Sequence, residues 1–363
     1  MSSAQNSKTP SENIPVKPKV TEGIGIALGG GMARGFTHIG VLKTLNKHGI
    51  YPSIVAGTSI GALVGGSYLA GKLDELESWA LSLNRFKVFS FMDFRIRSSS
   101  LIGGEKLRKI LKEYFDGIDI EDLPLPFIAI GSDLNTGHEV WMRKGPLMEA
   151  MQASFSLPGV FPPVDRNGRH LVDGALVNPV PVSVAQALGS RLTIAVDLHA
   201  DMIGKAVKAG QNYQTIAGFD LFDDKDVPPE DQKKFKKSWL AKRLFRREEG
   251  SPSLFGVMMS SLSIFQDRVT RSRLAGDPPD VHIKPHIGHI GMLEFERAEE
   301  LIKLGEEAAE RNMPKIKAAM QVLWKTSSTS LEGIISEVMN ARTRASLATT
   351  RLTKSSGSSR SKG

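Results

Sequence analysis

Ile54-Val55-Ala56-Gly57-Thr58-Ser59-Ile60-Gly61-Ala62-Leu63-Val64 is the stretch that decides the fold. An apolar run ends in G-x-S-x-G, and a helix of small residues follows. That strand–turn–helix context is what a nucleophile elbow requires. The turn leaves no room for side chains beside the serine, so Gly57 and Gly61 flank it. The Ser59 hydroxyl then stands at the carboxyl end of a strand, above the N-terminus of the next helix. The helix dipole there favours a developing oxyanion and a partly ionised serine. The same pattern also describes a glycine-lined turn without chemistry, so its surroundings must decide.

Outward from this stretch, strands alternate with helices. Ile24–Leu28 reads as a buried strand running into Gly29-Gly30-Gly31, with a helix from about Phe36 to Lys47 closed by Gly49. Ser53–Ala56 is a second strand and Ile60–Ala70 a second helix; Phe127–Gly131 and Leu192–Asp197 read as further strands. The alternation predicts a mostly parallel sheet with helices on both faces. Glu294–Glu310 and Lys315–Val322 are helical by composition, the second led by Pro314.

Gly29-Gly30-Gly31-Met32-Ala33-Arg34-Gly35 lies at the first strand-to-helix junction. A P-loop would need Lys after the last glycine, where Phe36 stands. A dinucleotide fingerprint would need glycine at Arg34 and an acid at the end of the next strand, where Ala56 and Gly57 stand. An oxyanion hole needs only backbone N–H groups that converge, which successive glycines permit. A glycine turn for close helix–sheet packing stays open beside it. A serine nucleophile also needs a base. Asp173-Gly174-Ala175 follows His170-Leu171-Val172, which pins an aspartate between a strand end and a glycine turn. In a dry cleft a carboxylate's proton affinity rises enough for general-base work. An aspartate capping its own loop fits the same residues.

Taken in order, G-G-G-M-A-R-G (29–35), G-T-S-I-G (57–61) and D-G-A (173–175) resemble the three signature blocks of patatin-like phospholipases. Ala153-Ser154-Phe155-Ser156-Leu157-Pro158-Gly159-Val160-Phe161-Pro162-Pro163 resembles that family's proline-rich segment. Arg34, the stretch Arg273–Asp280 and Ile290-Gly291-Met292-Leu293 are similar to the bacterial branch related to neuropathy target esterase. The likeness covers roughly Gly23 to Arg311. It implies an α/β fold, a three-layer α/β/α sandwich with a mostly parallel central sheet. It also implies a Ser59–Asp173 dyad without histidine, and an oxyanion hole at Gly29, Gly30, Gly31 and Met32. Arg34, Gly57, Gly61 and Gly174 would support the site, with Arg34 either bracing the glycine loop or meeting a lipid phosphate. The implied activity is a serine acyl hydrolase cleaving phospholipid or lysophospholipid esters, with no metal or organic cofactor. A soluble carboxylesterase or thioesterase, and a non-catalytic membrane-binding adaptor, are the alternatives; intact Ser59 and Asp173 argue against the adaptor.

Composition narrows the remaining choices. The 363 residues hold no cysteine, which removes disulfides and thiol nucleophiles. Residues 1–22 are polar and read as a disordered leader without a Sec signal. No run approaches the roughly 20 apolar residues that span a bilayer. A cytoplasmic protein, peripheral at the inner membrane surface, is therefore expected. The acyl hydrolase domain is expected over 23–325, with a basic insertion near 230–250 and a basic, Ser/Thr-rich tail at 326–363. Lys233–Arg247 carries eight basic residues and no acid, interleaved with Phe235, Trp239 and Phe245. Its apolar pairs do not share one helical face, so it reads as a solvated loop or a contact with anionic membrane. The net charge of +8 would suit nucleic acid too, yet no nucleic-acid-binding module is recognisable. His199 follows Asp173 in the order of a Ser–Asp–His triad but reads as a loop histidine. His282, His286 and His289 are interrupted by Pro285, which argues against a metal face.

Overall fold

Ile24, Ile26, Ala27 and Leu28 are fully buried, because the strand that carries them has a parallel partner on each side. A strand covered on both faces reads as a near-continuous apolar run, not as an alternation. The computed structural model describes residues 20–84, 87–88, 105–200 and 254–325. Most of the leader at 1–22, the basic segment Lys233–Arg247 and the tail 326–363 lie outside the described residues.

In chain order the elements are β1 (Thr21–Leu28), α1 (Thr37–Lys47), β2 (Pro52–Thr58), α2 (Ile60–Leu69) and α3 (Leu73–Leu81). Then come α4 (Glu105–Phe115), β3 (Phe127–Asp133), β4 (Glu139–Met142), α5 (Leu147–Ser154), β5 (Val164–Arg166) and β6 (Arg169–Asp173). Next are α6 (Val182–Ala187), β7 (Leu192–Val196), α7 (Leu254–Gly276) and β8 (Val281–Ile283), followed by a 3-10 turn, Phe295–Arg297, and by helical residues from 298 onward. β1 starts at Thr21, before the Ile24 that hydropathy marks, because Thr21 already pairs with Pro52. The glycine block opens into a 3-10 turn, Met32–Phe36, before α1 begins.

The hydrogen-bonded strands run β5-β6-β3-β2-β1-β7-β8, with β4 also on β3. β3, β2, β1, β7 and β8 are mutually parallel, and β4, β5 and β6 join antiparallel. The sheet is mixed, and its parallel part is the half that needs helices on both faces.

Alternation along the strands sorts the layers. Ile54, Ala56, Ile128 and Ile130 pack with Val184 and Ala185 of α6 on one face. On the other face Gly65 of α2 lies against Val55, Leu28 and Phe127. α2 is buried almost all round, so its polar face is missing, and its glycines give the room that larger residues would take. Helical residues 298–313 cross α1 so closely that a Cβ on Gly40 would fall 2.8 Å from the Glu306 backbone nitrogen. The chain divides into two units, Met1–Met313 and Pro314–Gly363. The first holds the sheet; in the second, the described residues 314–325 are helical.

The close crossing at Gly40 predicts a stability loss. Gly40→Ala puts a methyl against backbone that cannot yield cheaply, and should cost about 1–3 kcal/mol in urea unfolding. Gly276→Ala, which meets nothing within 4 Å, should leave the midpoint nearly unchanged.

Candidate active site

Two strands meet end to end on one edge of β3. β2 pairs with β3 up to Thr58↔Ile130, and β6 continues from Gly131↔Asp173 to Asp133↔Leu171. β4 shares Ala129 and Ile130 with β2, and Gly131 and Ser132 with β6. A strand has two edges, so β2 and β6 occupy the same one. Thr58 and Asp173 therefore stand on consecutive rungs, and the residue after Thr58 is delivered to the carboxyl group of Asp173.

That residue is Ser59, with φ 56° and ψ −124°. A non-glycine residue in this region carries strain of about 1–3 kcal/mol, and packing must hold it there. Gly57 makes the turn fit: a Cβ on it would lie 2.5 Å from the Gly61 carbonyl oxygen and 2.6 Å from Ala62 Cα. Ser154 Oγ accepts the Ser59 N–H at 2.9 Å and donates to the Ile130 carbonyl at 2.5 Å. Thr58 Oγ1 donates to the Asn178 carbonyl at 2.8 Å. The backbone of the turn is thus tied to β3, to α5 and to the loop after Asp173.

Ser59 Oγ donates to Asp173 Oδ2 at 2.7 Å, and Asp173 Oδ1 accepts the Ala175 N–H at 2.8 Å. The Asp173 backbone is fixed as well. Its N–H donates to the Ser156 carbonyl at 2.9 Å, and its carbonyl accepts Ser132 Oγ at 2.9 Å. Ser59 and Asp173 are both buried. Desolvation raises the Asp173 pKa to about 6, against the opposing pull of the bonds from Ser59 and Ala175. Gly174 permits the close fit, since a Cβ there would lie 2.7 Å from the Ile130 carbonyl carbon.

The glycine block passes beside the serine, since a Cβ on Gly30 would sit 3.3 Å from Ser59 Cβ and 3.2 Å from Ala175 Cβ. Its four candidate amides are not equivalent. The Gly29 N–H donates to the Val196 carbonyl at 3.1 Å, and that of Gly30 to the Pro179 carbonyl at 2.9 Å. Both are engaged by the fold. Among the described residues the amides of Gly31 and Met32 bond to no acceptor. Met32 has φ 52°, a turn that sets successive N–H groups toward one side.

Arg34 braces this loop from beneath. It is buried, and its Nε donates to the Ile290 carbonyl at 2.7 Å, with Nη2 on the same oxygen. Ala33 N–H donates to the Met292 carbonyl at 3.0 Å. Arg34 links the glycine block to the stretch 290–293 through the Ile290 carbonyl. The sequence blocks 29–35 and 290–293 are thus in direct contact.

Sequence reading missed three contributors. Ser154 lay inside the quoted proline segment without a role. Ser132 gave no signal beyond its place at the end of an apolar strand. His38 stands one helical turn after Arg34, and its Nε2 lies 2.7 Å from the Gly29 carbonyl. Burial lowers the His38 pKa to about 4 despite that bond, so the ring is neutral and its Nε2–H is the donor. His199 is also buried, but its ring bonds Gln266 Oε1 at 3.1 Å and its N–H bonds Asp197 Oδ1 at 2.9 Å, away from Asp173. Burial lowers its pKa. His282 pairs with Asp197 at 3.1 Å and His289 with Glu300 at 2.9 Å, so the histidine series is drawn to separate acids.

The sequence pattern of the patatin-like phospholipase family matches residues 26–185, which contain Ser59, Asp173 and the glycine block. An uncharacterized NTE family protein of Mycobacterium tuberculosis is 32% identical over 323 residues, covering 79% of this chain and 90% of that protein. A patatin-like phospholipase domain-containing protein of Caenorhabditis elegans is 38% identical over 182 residues, 48% of this chain and 13% of that one. The neuropathy target esterase sws of Drosophila melanogaster is 31% identical over 182 residues, again 48% and 13%. With the elbow, the carboxylate and the braced glycine loop in one place, the chain belongs to the patatin-like phospholipase family, together with the NTE family proteins.

Proposed function

We propose that this protein is a serine acyl hydrolase that cleaves ester bonds of phospholipids or lysophospholipids, with Ser59 as nucleophile and Asp173 as base. The observation that carries this reading is the 2.7 Å bond from Ser59 Oγ to Asp173 Oδ2 in a buried setting. An exposed carboxylate is too weak a base for a hydroxyl near neutral pH. A pKa of about 6 brings Asp173 close to the working range while leaving it ionised at pH 7.

As Ser59 Oγ attacks the ester carbonyl carbon, its proton passes to Asp173 Oδ2. The carbonyl oxygen gains negative charge, and the amides of Gly31 and Met32 are the donors assigned to it. The bond to the leaving alcohol then breaks, and Asp173 returns the proton to that oxygen. Water attacks the acyl-serine while Asp173 takes one of its protons; the fatty acid leaves and the proton goes back to Ser59 Oγ. An apolar cluster of Leu157, Val160, Met259, Met292 and Leu293 packs against Met32, which favours an acyl chain beside the oxyanion position.

Ser59→Ala should abolish hydrolysis of a lysophospholipid and of a short-chain ester alike. Mass spectrometry should find a fluorophosphonate adduct on Ser59 of the parent protein. Labelling of the variant equal to the parent overturns the nucleophile assignment.

The rate should follow the ionisation of Asp173. Below about pH 6 the carboxyl holds its own proton and cannot accept that of Ser59, so kcat/KM should climb with pH and level off above it. Asp173→Asn should lower kcat by about 10²–10⁴-fold.

The same residue should act against stability. An acid whose pKa is raised on folding, here from 3.8 to about 6, supports the fold below pH 3.8 and loses that support as pH rises through 6. The loss reaches about 3 kcal/mol by the free energy of a pKa unit. Asp173→Asn should therefore be at least as stable as the parent at pH 7.5, with the advantage shrinking at pH 4. Thermal unfolding at the two pH values measures this, and a variant less stable at pH 7.5 contradicts it.

A further inference from the structure

Val257, Met258, Ile264 and Phe265 of α7 are 46%, 38%, 52% and 47% exposed, with exposed Ser261 between them. Their spacing, i, i+1, i+4, i+7 and i+8, places them on one helix face. Arg268 and Arg271 continue that face toward the C-terminus and are exposed too. Asp267, the one acidic residue of α7, is buried with its carboxylate against Arg271. No exposed position of the helix is acidic. Large side chains left in water side by side, ending in cations, form a surface that a single buried core does not require.

We propose that this face of α7 seats the protein on an anionic lipid bilayer, with Ile264 and Phe265 entering the boundary of the acyl chains. The choice of partner rests on the lipid-hydrolase reading above. Two observations and one general dimension support it. First, the opposite face of the same helix sends Met259 and Leu262 into the apolar cluster that packs on Met32 of the glycine loop. A helix with its side chains is about 10–12 Å across, so the exposed face stands about one helix diameter from that cluster. Second, interfacial helices bury their apolar faces about 5–10 Å into the headgroup boundary, a depth that brings lipid to this side of the site. Third, the chain carries a net charge of +8, and exposed Arg268 complements anionic headgroups, whereas a second copy brings the same sign. Met258 also packs toward Gly159, where a Cβ would meet its Cε at 3.0 Å, so this face adjoins the proline-rich segment.

The test uses the full chain with Ser59→Ala, which keeps lipid intact and separates binding from the proposed chemistry. Vesicles of phosphatidylcholine alone and of phosphatidylcholine with phosphatidylglycerol are sedimented with the protein. Ile264→Ser with Phe265→Ser should weaken partitioning at least about tenfold, given the apolar area removed. Arg268→Gln should weaken binding to the anionic vesicles and leave the weaker binding to neutral ones unchanged. Circular dichroism checks that each variant folds. Phe265→Trp supplies a second readout that survives a failed double variant. Its added fluorescence should be quenched by lipid brominated along the acyl chain. Equal sedimentation of parent and double variant on both vesicles, or an added tryptophan that brominated lipid does not quench, overturns the proposal. So does a parent that elutes as a dimer, falls apart on the double substitution and ignores vesicles, since the face then joins two copies.

Discussion

The chemistry of this protein depends on a register. β3 offers one edge to two strands in succession, and the change of partner falls between Ile130 and Gly131. Because of that step, a parallel strand ends where an antiparallel one begins, and Ser59 and Asp173 face each other across the join. A slip of one residue in β6 would turn the Asp173 side chain to the other face of the sheet. The surrounding bonds guard against the slip. Ser132 holds the Asp173 carbonyl, Ser156 accepts its N–H, and Ser154 ties Ser59 to Ile130. Three serines with no part in bond making fix the separation of the two groups that would make and break bonds.

Burial sets the second condition. Water is kept from Asp173, which raises its proton affinity, yet two hydrogen bonds keep it from losing its charge near neutrality. Deeper burial without those bonds would leave a neutral acid, and exposure would leave a weak base. The glycine loop is held just as firmly by its own contacts. Gly29 and Gly30 are anchored by backbone bonds, His38 holds the Gly29 carbonyl, and Arg34 reaches Ile290. Among the described residues, what the loop has left over is a pair of amides, at Gly31 and Met32.

The fold was legible because the buried parallel strands write themselves as apolar runs that end in glycines, as at Ile24–Gly31 and Ile54–Gly57. The serine and the aspartate were legible for the same reason, since tight turns demand glycine beside them. Other features leave no such trace. Pairing of β6 with β3 depends on a bond between residues about forty positions apart, and neither strand's composition names its partner. Which of four successive amides is engaged depends on carbonyls from Val196 and Pro179, far along the chain. His38 looks like any polar residue of an amphipathic helix until burial shows its ring against a carbonyl. The mostly parallel sheet is legible, but its antiparallel strands are not, because short strands such as β5 carry little apolar signal.

The absence of an imidazole between Ser59 and Asp173 has a consequence for control. In a three-membered relay, a ring that rotates about its side-chain bonds can be swung out of line, and the relay is then off. Here both partners sit directly on backbone that the sheet holds, and a single hydrogen bond joins them. A pair with no rotating member between its two groups leaves little to swing out of line. Any restraint on such a centre has to work as a door rather than a switch, by deciding which molecules arrive.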